Sequence, residues 1–227
     1  MVQIVEGIKR LYHGSKNGIE GDIQPKSRER CDFGCGFYLG DKPDQPKGLI
    51  SQRLKNKFYE IDYDFTGLNI KEFGESYIDK IDWALFIAYN REPELFKEYN
   101  LLKDRYRAYN EGYDVIIGYI ADDSMMTTLT DFFKGITSDK EMIDCLAHVK
   151  LGKQYVLKNK KACETERLKI VECRPLTSSE IKLANAENQN RKKQMDSIIM
   201  MYKTKYRRDM SVKYIDEIMK EWNGNVT

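Results

Sequence analysis

The sequence predicts an α+β domain with a helical C-terminal extension, and three observations carry that prediction. Short runs rich in Val, Ile, Tyr and Phe, bounded by Gly, Pro and Asp, recur between residues 8 and 175, as strands do. Between them lie stretches whose apolar residues recur at helical spacing. From Leu176 onward the chain turns strongly polar and helix-prone. The organisation expected is a domain over 1–175 and an appendage over 176–227.

IKRLYHGS (8–15) reads as a short strand stopping at a His-Gly-Ser turn. The polar, Gly- and Pro-containing GIEGDIQPKSRER reads as a loop, and FYL (37–39) as a strand. DKPDQPKGLISQRLKNK begins as a proline-rich turn and continues as a short helix. FYEIDYDFTGLNIKEF alternates apolar and polar residues as paired strands do. IDKIDWALFIAYNR (78–91) carries Ile81, Trp83, Ala84, Leu85, Ile87 and Ala88, a wide apolar side that predicts a buried helix.

GYDVIIGYIAD (112–122) is nearly continuous in Val, Ile and Tyr, the pattern of a strand covered on both faces. Asp122, Asp123 and Ser124 are natural N-caps for the helix over MMTTLTDFFKG. SDKEMIDCLAHVK opens at Ser138 with Glu141 three residues on, a capping-box pattern. KQYVLKN (153–159) and ERLKIVECRP (166–175) read as the last strands, the second closed by Pro175. In the tail, Ile198, Ile199 and Tyr202 share one side of a helix, and Ile215, Ile218, Met219 and Trp222 stripe a second.

Bulk properties narrow the function classes. The chain has 227 residues, 41% hydrophobic and 11% aromatic, enough for one sizeable core. A net charge of +2 on 33% charged residues argues against a strongly basic nucleic-acid binder, while a local basic face stays open. Cys31, Cys35, Cys145, Cys163 and Cys173 are odd in number and irregularly spaced. With no apolar leader in MVQIVEGIKR, they are expected as free thiols in a reducing cytosol. Cys31 and Cys35 could form half of a zinc site, but no second Cys/His pair stands at ligand spacing, so no metal is expected. No run approaches the roughly 18 apolar residues that would cross a membrane.

CDFGCGFYLG (31–40) places three glycines among two phenylalanines and a tyrosine. Gly34 and Gly36 would let the backbone bend sharply and approach a ligand, with Phe33 and Phe37 anchoring the bend. Side chains alternate along a strand, so one aromatic can be buried while Tyr38 lines a cleft. The other reading is a glycine bulge with ordinary core aromatics. His13, at a strand end before Gly14, is either a polar group near the core or part of a site. His148, in an amphipathic helix, is read as structural.

Taken together, LYHGS (11–15), DFGCGFY (32–38) and KQYVLKN resemble the ADP-ribosyltransferases of the diphtheria-toxin and poly(ADP-ribose) polymerase type. That class carries a His on one strand, a Tyr on the next and usually a Glu on a later one. The chain more closely resembles a bacterial group, the domain-of-unknown-function 3990 family. The collinear series is LYHGS, Arg28, DFGCGFY, WALFIAYNR (83–91), DVIIGYIADD (114–123) and Gln154, spanning roughly 8–173. The resemblance implies a split β-sandwich with flanking helices, and NAD as substrate with no metal. It implies that His13 holds a ribose hydroxyl and that the Gly14 backbone, next to Ser15, holds the nicotinamide carboxamide. It further implies that Tyr38 stacks on the nicotinamide ring, base–aromatic stacking being worth about 1–3 kcal/mol.

Gln154 stands where the broader class has Glu. It lacks a full charge and cannot act as a base. Transfer of a single ADP-ribose, with weak or no chain elongation, is therefore expected. Glu164 and Glu166 either supply the missing charge or are solvated, and Asp122 and Asp123 either border the cleft or cap a helix. Arg28 is the candidate for the pyrophosphate, with Lys26 and Arg30 as substitutes. The activity expected is that of a cytoplasmic mono-ADP-ribosyltransferase, a toxin or effector acting on a protein or nucleic acid. NAD glycohydrolysis and a catalytically silent NAD- or partner-binding module are the alternatives. The tail either packs on the domain, binds an antitoxin-like protein or contacts the target. Its Arg191–Lys193 and Arg207–Arg208 clusters are read as a solvated face before a nucleic-acid site.

Overall fold

A computed structural model describes residues 7–28, 30–52, 55–121, 123–148 and 152–224. Seven strands form one sheet: β1 (Ile8–Ser15), β2 (Phe37–Gly40), β3 (Lys57–Asp64), β4 (Ile70–Glu72), β5 (Val115–Tyr119), β6 (Lys153–Leu157) and β7 (Leu168–Arg174). Their order is β4-β5-β6-β2-β1-β3-β7. Seven α-helices accompany them: α1 (Asp44–Ile50), α2 (Tyr77–Arg91), α3 (Asn100–Gly112), α4 (Asp123–Phe133), α5 (Asp139–His148), α6 (Ser178–Tyr206) and α7 (Ile215–Gly224). Among the described residues, no helix is long and apolar enough to cross a membrane.

Most elements stand where the hydropathy pattern puts them, because a strand or helix with one apolar side has only one way to bury it. β1 covers the whole of IKRLYHGS, and β5 is buried along four of its five residues. Ser76 caps α2 by accepting from the Asp79 amide at 3.1 Å. The capping box at α5 forms, with the Ser138 amide donating to Glu141 Oε2 at 2.9 Å. Asp122 and the side chains of Asp123 and Ser124, read as N-caps of α4, lie outside the described residues.

One pairing differs from expectation. The alternating stretch 58–73 does form two strands, but they do not pair. β3 lies between β1 and β7, whereas β4 runs parallel to β5 at the opposite edge of the sheet. Alternation reports which side of a strand is buried and says nothing of its neighbour. Residues 100–112 form a helix, α3, that the sequence reading left unassigned.

The two faces of the sheet are covered differently. On one, α2–α7 and Phe33 build a core with Phe73, Trp83, Phe86, Tyr106, Ile116 and Val156. On the other, Leu11, Phe37, Leu39, Ile61, Tyr155 and Leu157 are closed over by loop residues such as Ile19, Ile23, Ala162 and Cys163. The tail belongs to the first core: Met195 and Tyr202 of α6 and Ile215, Ile218 and Met219 of α7 are buried in it. The apolar stripes read from the sequence are the ones that dock.

Candidate functional site

The three motif strands are neighbours, in the order β6-β2-β1. β2 pairs with β6 along its whole length, Phe37 with Leu157 through Gly40 with Gln154. With β1 it shares a single register pair, Tyr12 with Gly40. Beyond that pair a side chain joins the strands, as His13 Nδ1 lies 2.7 Å from the Tyr38 carbonyl oxygen. A carbonyl only accepts, so Nδ1 carries the proton and Nε2 is the acceptor of the neutral ring. Burial holds the imidazole below its ordinary pKa, outweighing the opposing pull of that carbonyl.

Alternation then separates the two rings of the expected pocket. His13 pairs with Tyr59 and follows Leu11 on the loop-covered face. There it stacks on Phe37, with ring centroids 4.4 Å apart and 27° between planes. Tyr38 pairs with Val156 and points into the helix-covered face. Its hydroxyl donates to Gly34 O at 2.7 Å and accepts from the Phe33 amide at 3.0 Å. Burial raises the phenol pKa well above its ordinary value. One pocket lined jointly by the His13 imidazole and the Tyr38 phenol is therefore not what the strands build. The His13 side chain meets the Tyr38 backbone, while the two side chains lie on opposite faces of the sheet.

The glycines also answer to protein atoms. A Cβ at Gly36 would stand 2.5 Å from Val156 Cγ1 and 2.8 Å from Leu157 O. At Gly34, φ is +70° and a Cβ would meet Asn90 Oδ1 at 2.7 Å. Close approach is their role, as expected, but what approaches is β6 and α2. A Cβ at Gly14 would meet Pro46 O at 2.7 Å, so α1 covers the face expected to receive the carboxamide. Ser15 Oγ closes a local turn with Gly18, donating to its carbonyl and accepting from its amide.

Behind Tyr38 lies a polar network that the sequence reading did not assemble. Asp32, 7% exposed, accepts from Arg91 Nε at 2.6 Å, and Asn90 Nδ2 donates to the Asp32 carbonyl at 3.2 Å. Gln154, 6% exposed, donates through Nε2 to Asp32 Oδ2 at 3.3 Å and to Tyr119 O at 3.0 Å. Lys158 Nζ donates to Phe33 O and, at 3.0 Å, to Asn110 Oδ1. Burial pushes its pKa down to about 8. Asp32, Asn90, Arg91 and Lys158 sit in the quoted DFGCGFY, WALFIAYNR and KQYVLKN stretches, so a signal for them existed; Asn110 carried none.

Other expected charges lie elsewhere. Glu164 and Glu166 are exposed, Glu164 pairing with Arg167 at 3.3 Å, away from the Gln154 amide's partners. Lys26 and Arg28 are exposed on the loop before the motif. Arg30, at φ 55°, lines a cavity of about 160 Å³ together with Arg91, Met126 and Phe133. A second cavity, of about 310 Å³, lies on the Tyr119 and Lys153 side of Gln154.

Residues 9–169 match the model of a family described as a protein of unknown function, DUF3990. The chain belongs to that family. The DUF3990 match spans β1 to the start of β7, and so takes in every motif residue above but neither α6 nor α7. No curated protein and no solved structure matches the chain.

Proposed function

We propose that this chain is an NAD-dependent mono-ADP-ribosyltransferase of the diphtheria-toxin and polymerase type, with a split β-sandwich built on its one sheet. The observation that carries the reading is the meeting of the His, Tyr and Gln strands side by side, with β1 and β2 sharing one register pair and then the His13–Tyr38 link. In this reading NAD binds where those strands part. His13 Nε2, the neutral acceptor, takes a ribose hydroxyl on the loop-covered side, and for the Tyr38 ring to pack on nicotinamide the ligand must pass between β1 and β2 to the helix-covered side, which the Tyr38 variants below test. The bond from ribose C1′ to the pyridinium nitrogen breaks, and its electron pair leaves with nicotinamide, which departs neutral. An acceptor nucleophile bonds C1′ and releases a proton. Positive charge builds on the sugar in between, as in glycoside cleavage. Arg30 replaces Arg28 as the candidate for the pyrophosphate, because Arg30 borders a cavity beside the motif.

A second reading has its own support. α1 seats Pro46 and Ile50 against Gly14, and both N–H groups of Gln154 are engaged within the protein. These features favour a catalytically silent NAD- or partner-binding module. NAD labelled in its adenylate half, incubated with the full chain and lysate, separates the readings. Label on a macromolecule supports transfer, free ADP-ribose supports glycohydrolysis, and binding without turnover supports the silent module. Tyr38→Phe is expected to keep NAD affinity and Tyr38→Ala to lose about tenfold or more, the value of one stacked ring. Equal affinity in both variants removes the stacking role.

A further inference from the structure

The polar network around Gln154 bears on the residue that departs from the toxin-type pattern. Both amide hydrogens of Gln154 are spoken for, one by the Asp32 carboxylate and one by the Tyr119 carbonyl. That carbonyl also accepts from Trp83 Nε1 at 3.2 Å. Turning the amide over would place its oxygen against a carboxylate oxygen and a carbonyl oxygen, so the orientation is fixed by its partners. The amide oxygen Oε1 accepts no hydrogen bond from any other described residue. Asp32 is itself fixed. Arg91 grips its carboxylate through Nε and Nη2, and Asn90 holds its carbonyl. Thus the end of α2 positions Asp32, and Asp32 positions the side chain on β6.

The same geometry explains why position 154 carries an amide. A carboxylate there would stand about 3.3 Å from the Asp32 carboxylate. Two like charges that close cannot both ionise without raising one pKa strongly. With Asp32 present, glutamine is the isostere that bonds and glutamate the one that repels.

We propose that Asp32 is the positioning residue of this site, orienting Gln154 so that position 154 presents a hydrogen-bond acceptor to a ligand hydroxyl. The ligand class is a hydroxyl-bearing sugar, the ribose of a nucleotide in the reading above, and that part of the inference rests on that reading. The orientation itself does not.

Two measurements on the full chain test it. In the resting protein, the side-chain amide protons of Gln154 are expected to exchange slowly with solvent, as read by nitrogen-15 NMR, and Asp32→Asn to speed that exchange at least about tenfold, the value of one lost charged hydrogen bond. Fast exchange in the unmodified protein overturns the proposal and needs no variant to fold. In the second, Gln154→Glu is expected to lower the melting temperature at pH 7 and to recover as pH falls into the carboxylate range. Asp32→Asn combined with Gln154→Glu restores part of the loss, because an amide again faces a carboxylate. A Gln154→Glu protein as stable as the original at pH 7 overturns the coupling. If NAD neither binds nor turns over, the transferase reading fails while both measurements still decide the role of Asp32.

Discussion

The two faces of β2 solve the same problem with different chemistry. On the loop-covered face, Phe37 and Leu39 sit among aliphatic and aromatic side chains, and the His13 imidazole stacks on Phe37 with its pKa lowered by burial. On the helix-covered face, Tyr38 backs onto Asp32, Arg91, Gln154, Asn90, Asn110 and Lys158, hydrogen-bonded into one network. The apolar face tolerates changes of shape up to the cost of a cavity. The polar face depends on every member, since a partner removed leaves a buried group unsatisfied. A motif such as DFGCGFY spans both faces within seven residues, so its letters serve two environments at once.

The sharpest way to break this contrast is to remove the carboxylate. Asp32→Ala strands Arg91 and Gln154, and is expected to cost about 3 kcal/mol, the low end for breaking a buried ion pair. The low end applies because about a quarter (24%) of the Arg91 side chain stays exposed. Chemical denaturation checks it, and a loss under about 1 kcal/mol would show that the network is not cooperative. Next comes the backbone contact between faces. Gly36→Ala forces a methyl onto Val156 and Leu157, for an expected about 1–3 kcal/mol of overpacking. Gly112→Ala, which meets nothing within 4 Å, is the control and is expected to stay within about 0.5 kcal/mol.

The smallest effect is pH dependence on the apolar face. The His13 pKa is lowered in the fold, so below about 6.5 the unfolded chain binds a proton that the folded chain refuses. Stability is whole above that pH and falls as pH drops toward the folded value, by at most about 1.4 kcal/mol per pH unit. His13→Phe is expected to flatten that part of the profile. An unchanged slope in that variant would place the imidazole in contact with solvent.

Much of the fold was legible because burial imposes periodicity. IKRLYHGS, the helix ending in Asn90–Arg91, the capping box at Ser138 and the stripes of the tail are each local patterns with one way to bury their apolar side. The site was legible only in part. The motifs named His13, Tyr38 and Gln154, yet nothing in them named Asn110, whose side chain reaches from α3 to Lys158 just past β6. A hydrogen bond between residues 48 positions apart leaves no periodic trace in the chain.

By itself the sequence determined the strands and helices other than α3, the apolar face of each, and membership of the DUF3990 family, because these follow from side-chain spacing and residue identity along one segment. Tertiary structure alone decided that β3 and β4 part to opposite ends of the sheet. It alone set His13 and Tyr38 on opposite faces of the sheet, and it alone turned Asp32 toward Gln154 rather than toward solvent. Those outcomes depend on which strand lies beside which, and that choice is made by the whole core at once.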